Sequence, residues 1–375
     1  MKIIIAPDSF KGALRAESVA KILAEAWKSI RPDDEVIPIP LSDGGEGLAS
    51  ALASARGGEY LEISTFDALM RKISGKAVVI GDLAVLESAE ANGIERLSRE
   101  ELDPMAATTY GVGIMLKSLL DKGCRDFVIG IGGSATVDGG TGMLQALGME
   151  FFDSRGHLLP PGIGGGDLRH VREVEFSSLD PRLRECRIKV ACDVTNPLCG
   201  AEGSAAVFGP QKGATAEMVA SLDANLRHWA QIAGDTGEYP GDGAAGGLGF
   251  ALRKFLNGEL VSGAQLVMEY SGFIDVLDGA SLVITGEGCS DEQTAYGKLC
   301  SQVAKSAGKK GVPTLLLSGA LRGDTAVLEK LFCGCYSISP GAVTLDEAIA
   351  GTGKNLARMG ANLARLFTVT GNCCR

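Results

Sequence analysis

Lys2-Ile3-Ile4-Ile5-Ala6-Pro7-Asp8-Ser9-Phe10-Lys11-Gly12 opens the chain with a short apolar run that stops at a proline and an aspartate. Val19, Ala20, Ile22, Leu23, Ala26, Trp27 and Ile30 then recur at three- and four-residue spacing, and a second apolar run covers 35–41. A continuous apolar run bounded by turn residues reads as a strand buried on both faces, and the 3.6-residue period reads as an amphipathic helix. The segment is a β-α-β unit. A crossover helix returns the chain to the same end of the sheet, so the two strands are expected to be parallel.

Further buried-strand patterns lie at 126–131, 188–192, 281–285 and 313–317, with helical patterns at 109–120, 138–147, 216–233, 244–256, 298–307 and 348–366. The β-α-β rhythm is cleanest at the two ends, whereas from 66 to 279 the strands are irregularly spaced and the loops longer and rich in Gly and Pro. The expected fold is α/β with two α/β domains. Segments 1–65 and 280–375 build one discontinuous, Rossmann-like (flavodoxin-like) domain with a parallel sheet, and 66–279 is an inserted α/β domain.

The length, 375 residues, suits two domains of roughly 150 residues or more. Glycine supplies 52 of them, about twice the usual share, without a collagen period. With 36 basic and 46 acidic residues the net charge is −10, which repels phosphate backbones and anionic lipid and argues against nucleic acid and membrane partners. The first apolar run is too short for a signal sequence, and no stretch approaches the length of a membrane span. A soluble, cytoplasmic protein is expected. Ten cysteines contain no C-x-x-C pair, so they read as buried or incidental thiols rather than a zinc site.

Ligands of an open parallel sheet bind beyond the carboxyl ends of its strands, and these loops are unusually polar here. Asp8, Ser9 and Lys11 follow the first strand; Asp8 and Ser9 have the form of helix caps, and Lys11 beside a helix start makes an anion site. Ser42-Asp43-Gly44-Gly45-Glu46-Gly47 carries two carboxylates among glycines, which suits Mg²⁺ as well as it suits a capping box. Gly130-Ile131-Gly132-Gly133-Ser134-Ala135-Thr136-Val137-Asp138 contains G-x-G-x-x-A, with Asp153 some way beyond. That is the form of a dinucleotide fingerprint, yet the hydroxyls and carboxylate fit a phosphate cradle equally. Asp193 follows the strand at 188–192, Lys212 sits between glycines, and Gly286, Glu287 and Asp291 follow the strand at 281–285.

So many loops bearing Asp, Lys or paired glycines suggest a cleft for a phosphorylated, Mg²⁺-bound ligand. There is no Walker motif, no protein-kinase signature and no G-x-S-x-G. Three histidines, none paired as zinc ligands, leave little for His-based catalysis. The rival reading is a dinucleotide-dependent oxidoreductase.

Taken in order, APDSFKGAL, LSDGGEG, GIGGSATVDGG, CDVTNPLCG, FGPQKGA, GAAGGLG and VITGEG with Asp291 and Gln293 resemble the signature blocks of the bacterial type I glycerate kinase family from Lys2 to about Leu366. The resemblance implies transfer of the γ-phosphoryl group of ATP, with Mg²⁺, to a hydroxyl of D-glycerate, giving 2-phosphoglycerate in preference to 3-phosphoglycerate. It also implies an active site in the cleft between the two domains, in a monomer or homodimer. Under that activity Asp193 is expected to accept the proton of the attacking hydroxyl, and Asp43, Glu46 and Asp291 to hold Mg²⁺. Lys11 and Lys212 neutralise phosphoryl charge or clamp the glycerate carboxylate, with Asp8, Ser9 and Arg71 as further substrate contacts. Gly132, Gly133, Ser134, Asp138 and Gly286 are assigned to the nucleotide.

The chain departs from the family pattern at several points. Cys289 replaces an arginine, Val137 an asparagine, Ser290 a hydrophobe, and the usual Asp-Pro-Leu-Gly-Arg turn is Asp67-Ala68-Leu69-Met70-Arg71. Loss of an arginine removes a fixed cation and its planar fork. A homologue that binds ligand with impaired catalysis is therefore a second alternative.

Overall fold

The computed structural model describes residues 1–41, 47–295 and 298–372. Strands β1 (Lys2–Ile5) and β2 (Glu35–Pro38) come first, followed by β3 (Glu59–Phe66), β4 (Lys72–Ile80) and β5 (Leu83–Glu87). Then come β6 (Asp126–Gly130), β7 (Glu150–Phe152), β8 (Glu173–Glu175), β9 (Arg187–Ala191) and β10 (Glu259–Val261). Strands β11 (Leu282–Ser290), β12 (Thr314–Leu321) and β13 (Gly334–Ser337) close the series. The fold is α/β, built as two compact units, one comprising Met1–Asp43, Ser50–Gly57 and Ala264–Arg375 and the other Gly44–Ala49 and Gly58–Gly263.

The first unit holds a wholly parallel sheet in the order β13-β12-β11-β1-β2. Ile3, Ile4 and Ile5 are fully buried in it because helices cover both faces. Helix Ala16–Lys28 turns Val19, Ala20, Leu23 and Trp27 onto the sheet, the burial of Val19 and Leu23 worth roughly 1.5–3 kcal/mol each. Trp27 also meets Phe367 of helix Thr352–Asn372 at 5.8 Å between ring centroids. Its indole N–H donates to Asp34 at 2.9 Å.

The second unit is a mixed sheet in the order β10-β9-β6-β5-β4-β3, parallel from β10 to β5 and antiparallel from β5 to β3. Phe151, Trp229, Phe250 and Phe255 pack against one another beneath it. The unit boundaries differ from 65 and 280 for a physical reason. Residues 59–66 pair residue for residue with β4, from Glu59 opposite Val79 to Phe66 opposite Lys72, and helix Gly263–Tyr270 falls almost wholly within the first unit.

In the turn joining β3 to β4, the Asp67 carboxylate accepts from the backbone N–H of Leu69 and Arg71, both at 2.9 Å. Met70 there takes φ +63°, a left-handed conformation that suits glycine and costs a side-chain-bearing residue about 1–2 kcal/mol.

Candidate active site

Two groups of loops meet the carboxyl ends of parallel strands, one in each unit. In the first unit the strand order reverses between β1 and β11, the switch point at which a doubly wound sheet opens a crevice. A cavity of about 380 Å³ lies there. Asp8, Ser9 and Lys11 line it from beyond β1, Glu287 and Cys289 from β11, and Arg322 from beyond β12.

The backbone fixes these side chains. The Asp8 N–H donates to the Gly286 carbonyl at 2.8 Å, tying the loop after β1 to β11. The Asp8 carboxylate accepts from Ser9 N–H at 2.6 Å. At Gly286 a Cβ would collide with the Leu317 carbonyl of β12, so the glycine is required by strand packing. The Glu287 carboxylate accepts from the hydroxyls of Ser290 and Thr294, both at 2.8 Å, which orients it at the cavity. Asp291 is half-buried, accepts from Gln293 N–H at 2.9 Å and pairs with Lys298 at 3.6 Å. Asp43 and Glu46 lie outside the described residues.

In the second unit β6 and β9 run side by side with Gly130 opposite Ala191, so the loops carrying Gly132-Gly133-Ser134 and Asp193 leave the sheet as neighbours. Gly132, Gly133 and Asp193 are exposed, and one Asp193 oxygen accepts from Gly263 N–H at 3.1 Å. Lys212 arrives from the 208–213 block and is 2% exposed. Its ammonium donates to Ser134 Oγ at 3.0 Å and to the Thr136 carbonyl at 2.7 Å. Asp138 is fully buried and accepts from the Thr109 N–H and hydroxyl and from Gly140 and Gly142 N–H. Lys212 and Asp138 therefore hold the glycine loop from behind and present no free surface. Arg71 is exposed and bridges Asp67 and Glu101.

Burial pushes the Lys212 ammonium down to about 7, against the pull of Asp138, and pushes the Asp138 carboxyl up despite its donors. A lysine whose folded pKa is depressed disfavours the fold in full where both states are protonated, and the penalty is relieved as pH rises from the folded value to the unfolded one. Between about 7 and 10.5 stability is expected to rise with pH, by at most about 1.4 kcal/mol per unit. Below that window both states carry the proton and the slope vanishes. Denaturant midpoints measured across the window should show Lys212→Met with a flatter profile than wild type; equal slopes would contradict the assignment.

The dinucleotide fingerprint fails on topology. Helix Thr141–Ala146 begins well after β6 ends at Gly130, so the glycines do not open it onto a pyrophosphate. Asp153 sits in a turn, where its carboxylate accepts from Arg155 and His157 N–H. The sequence reading named neither Lys298 nor Arg322 as a site residue. Arg322 ends an apolar strand pattern and had a signal of position; Lys298 reaches the cavity only through the helix that it precedes.

A sequence profile of the glycerate kinase family matches residues 3–368. Glycerate 2-kinase of Escherichia coli (strain K12) is 40% identical over 98% of each chain, and glycerate kinase of Bacillus subtilis (strain 168) is 41% identical over 97% of each. A crystal structure provisionally named glycerate kinase 2, from Salmonella typhimurium LT2, superposes with a TM-score of 0.90 at 37% identity over 99% of both chains. Match length and identity agree, and the chain belongs to the glycerate kinase family.

Proposed function

We propose that this protein is a phosphotransferase that moves the γ-phosphoryl group of ATP, with Mg²⁺, to the 2-hydroxyl of D-glycerate, giving 2-phosphoglycerate in the cytoplasm. The observation that carries the reading is the full-length family match joined to a switch-point cavity lined by Lys11, Lys298, Arg322, Asp8 and Glu287. Phosphoryl transfer asks for positioning and charge neutralisation more than covalent chemistry, and this donor set supplies both. The E. coli relative, named a glycerate 2-kinase, supports the choice of hydroxyl. Among the described residues no helix is long and apolar enough to cross a membrane.

In this reading Asp193 accepts the proton of the attacking hydroxyl, and Lys11 faces the transferring group. Gly132, Gly133 and Ser134 meet phosphate oxygens, with Lys212 and Asp138 as positioning residues for that loop, and Asp8, Ser9 and Arg71 serve substrate binding. Mg²⁺ is commonly held by one or two carboxylates plus phosphate oxygens; in this reading Asp291, Asp43 and Glu46 are the carboxylates that would hold it, and the cation would screen the charge that builds up on the phosphoryl oxygens. ADP formation from Mg-ATP is expected to require D-glycerate, and enolase added directly is expected to consume the product. ADP formation without enolase conversion would move the phosphoryl group to the 3-hydroxyl.

A further inference from the structure

The cavity of the first unit is larger and more apolar than a glycerate site requires. Its volume, about 380 Å³, falls in the roughly 300–1,000 Å³ range of cavities that enclose drug-sized ligands. A three-carbon hydroxy acid is polar at every carbon and gains nothing from an aliphatic wall. Yet its lining includes Ile338, Leu345, Ala348 and Ile349. Leu345 is 69% exposed and its neighbour Val343 43% exposed, so the helix Leu345–Ala350 presents a large aliphatic side chain that the protein itself leaves uncovered.

The same lining is also charged. Lys11, Lys298 and Arg322 bring three cations to one cavity, and the Arg322 guanidinium has no ion-pair partner among the described residues. Ser339 and Asn355 add polar groups to that lining. Aliphatic side chains, polar groups and cations in one lining match the chemistry of a nucleotide. The position, at the switch point of a doubly wound sheet, is where such folds take mononucleotides.

We infer that this cavity seats the nucleoside half of the phosphoryl donor, with the base against Ile338, Leu345 and Ile349 and the phosphates leaving past Lys11 and Arg322. The inference rests on the kinase reading above and adds to it the place and orientation of the base. It also gives Arg322 a role. It supplies a guanidinium to the cavity that Cys289 also lines.

The test separates base binding from turnover. Irradiation of the intact protein with 8-azido-ATP, followed by peptide mapping, is expected to label residues within 338–355. Ala348→Trp fills the cavity and is expected to weaken ADP binding in calorimetry at least about tenfold and raise KM for ATP in step, with KM for D-glycerate changed less than about twofold. Leu345→Asp guards against misfolding, since that side chain is exposed, and is expected to weaken ADP in the same direction. Unchanged ADP affinity in both variants, label confined to 130–140, or a rise in KM for D-glycerate alone would overturn the inference. Failure of the kinase reading looks different: wild type would then form no ADP with D-glycerate, whatever the cavity binds.

Discussion

Asp193→Asn is expected to lower turnover with D-glycerate by about 10²–10⁴-fold, the range that a positioned general base contributes, with ADP affinity kept within about twofold. The substitution suits the question because it removes basicity while keeping the size and shape of the side chain. Asp193 is exposed at the end of β9, and the oxygen that accepts from Gly263 N–H has a counterpart in the asparagine amide. The local turn therefore keeps its hydrogen bond while the side chain loses its capacity to take a proton. Steady-state kinetics beside ADP calorimetry checks the split. Turnover equal to wild type would remove Asp193 from the chemistry, and equal loss of ADP affinity would make it a binding residue.

Gly246→Ala is expected to destabilise the protein by more than about 4 kcal/mol, in the range reserved for steric or buried-network failures. Gly246 has φ +74°, and a Cβ there would collide with the Thr136 carbonyl, the same oxygen that accepts from Lys212. The Gly246 carbonyl in turn accepts from Gly139 N–H at 2.9 Å. The methyl group would press apart the two glycine-rich turns and the lysine between them, so loss of folding and loss of the loop geometry arrive together. Gly156→Ala is the control. It has the same φ of +74° with nothing within 4 Å of a Cβ, so only the conformational cost of about 1–2 kcal/mol applies. Thermal or denaturant unfolding of both variants measures the difference, and similar losses would mean that φ and not collision sets the cost at Gly246.

The sequence read well wherever the signal was local. β1, β6, β11 and β12 are largely buried and announce themselves as apolar runs, and the loops after them could be nominated because parallel sheets place ligands there. β3 was not legible as a strand: Glu59-Tyr60-Leu61-Glu62-Ile63 alternates weakly, since its outer face meets solvent and its register is set by the pairing with β4. The glycines of 130–140 were read as a ligand cradle, but Gly139 and Gly140 are small because Trp229 and Ala251 lie against them.

By itself, then, the sequence determined the α/β class with two α/β domains, and it nominated Asp8, Lys11, Ser134, Asp193 and Lys212. Local periodicity and the chemistry of residue types suffice for those. Only the tertiary structure decided that Lys212 lies under Ser134, 78 residues away, that Asp138 spends its carboxylate on four donors within its own unit, and that Arg322 and Leu345 share one cavity. Strand order and helix packing fix such neighbours, and a period of two or 3.6 residues carries no record of which distant segment will fill the space beside it.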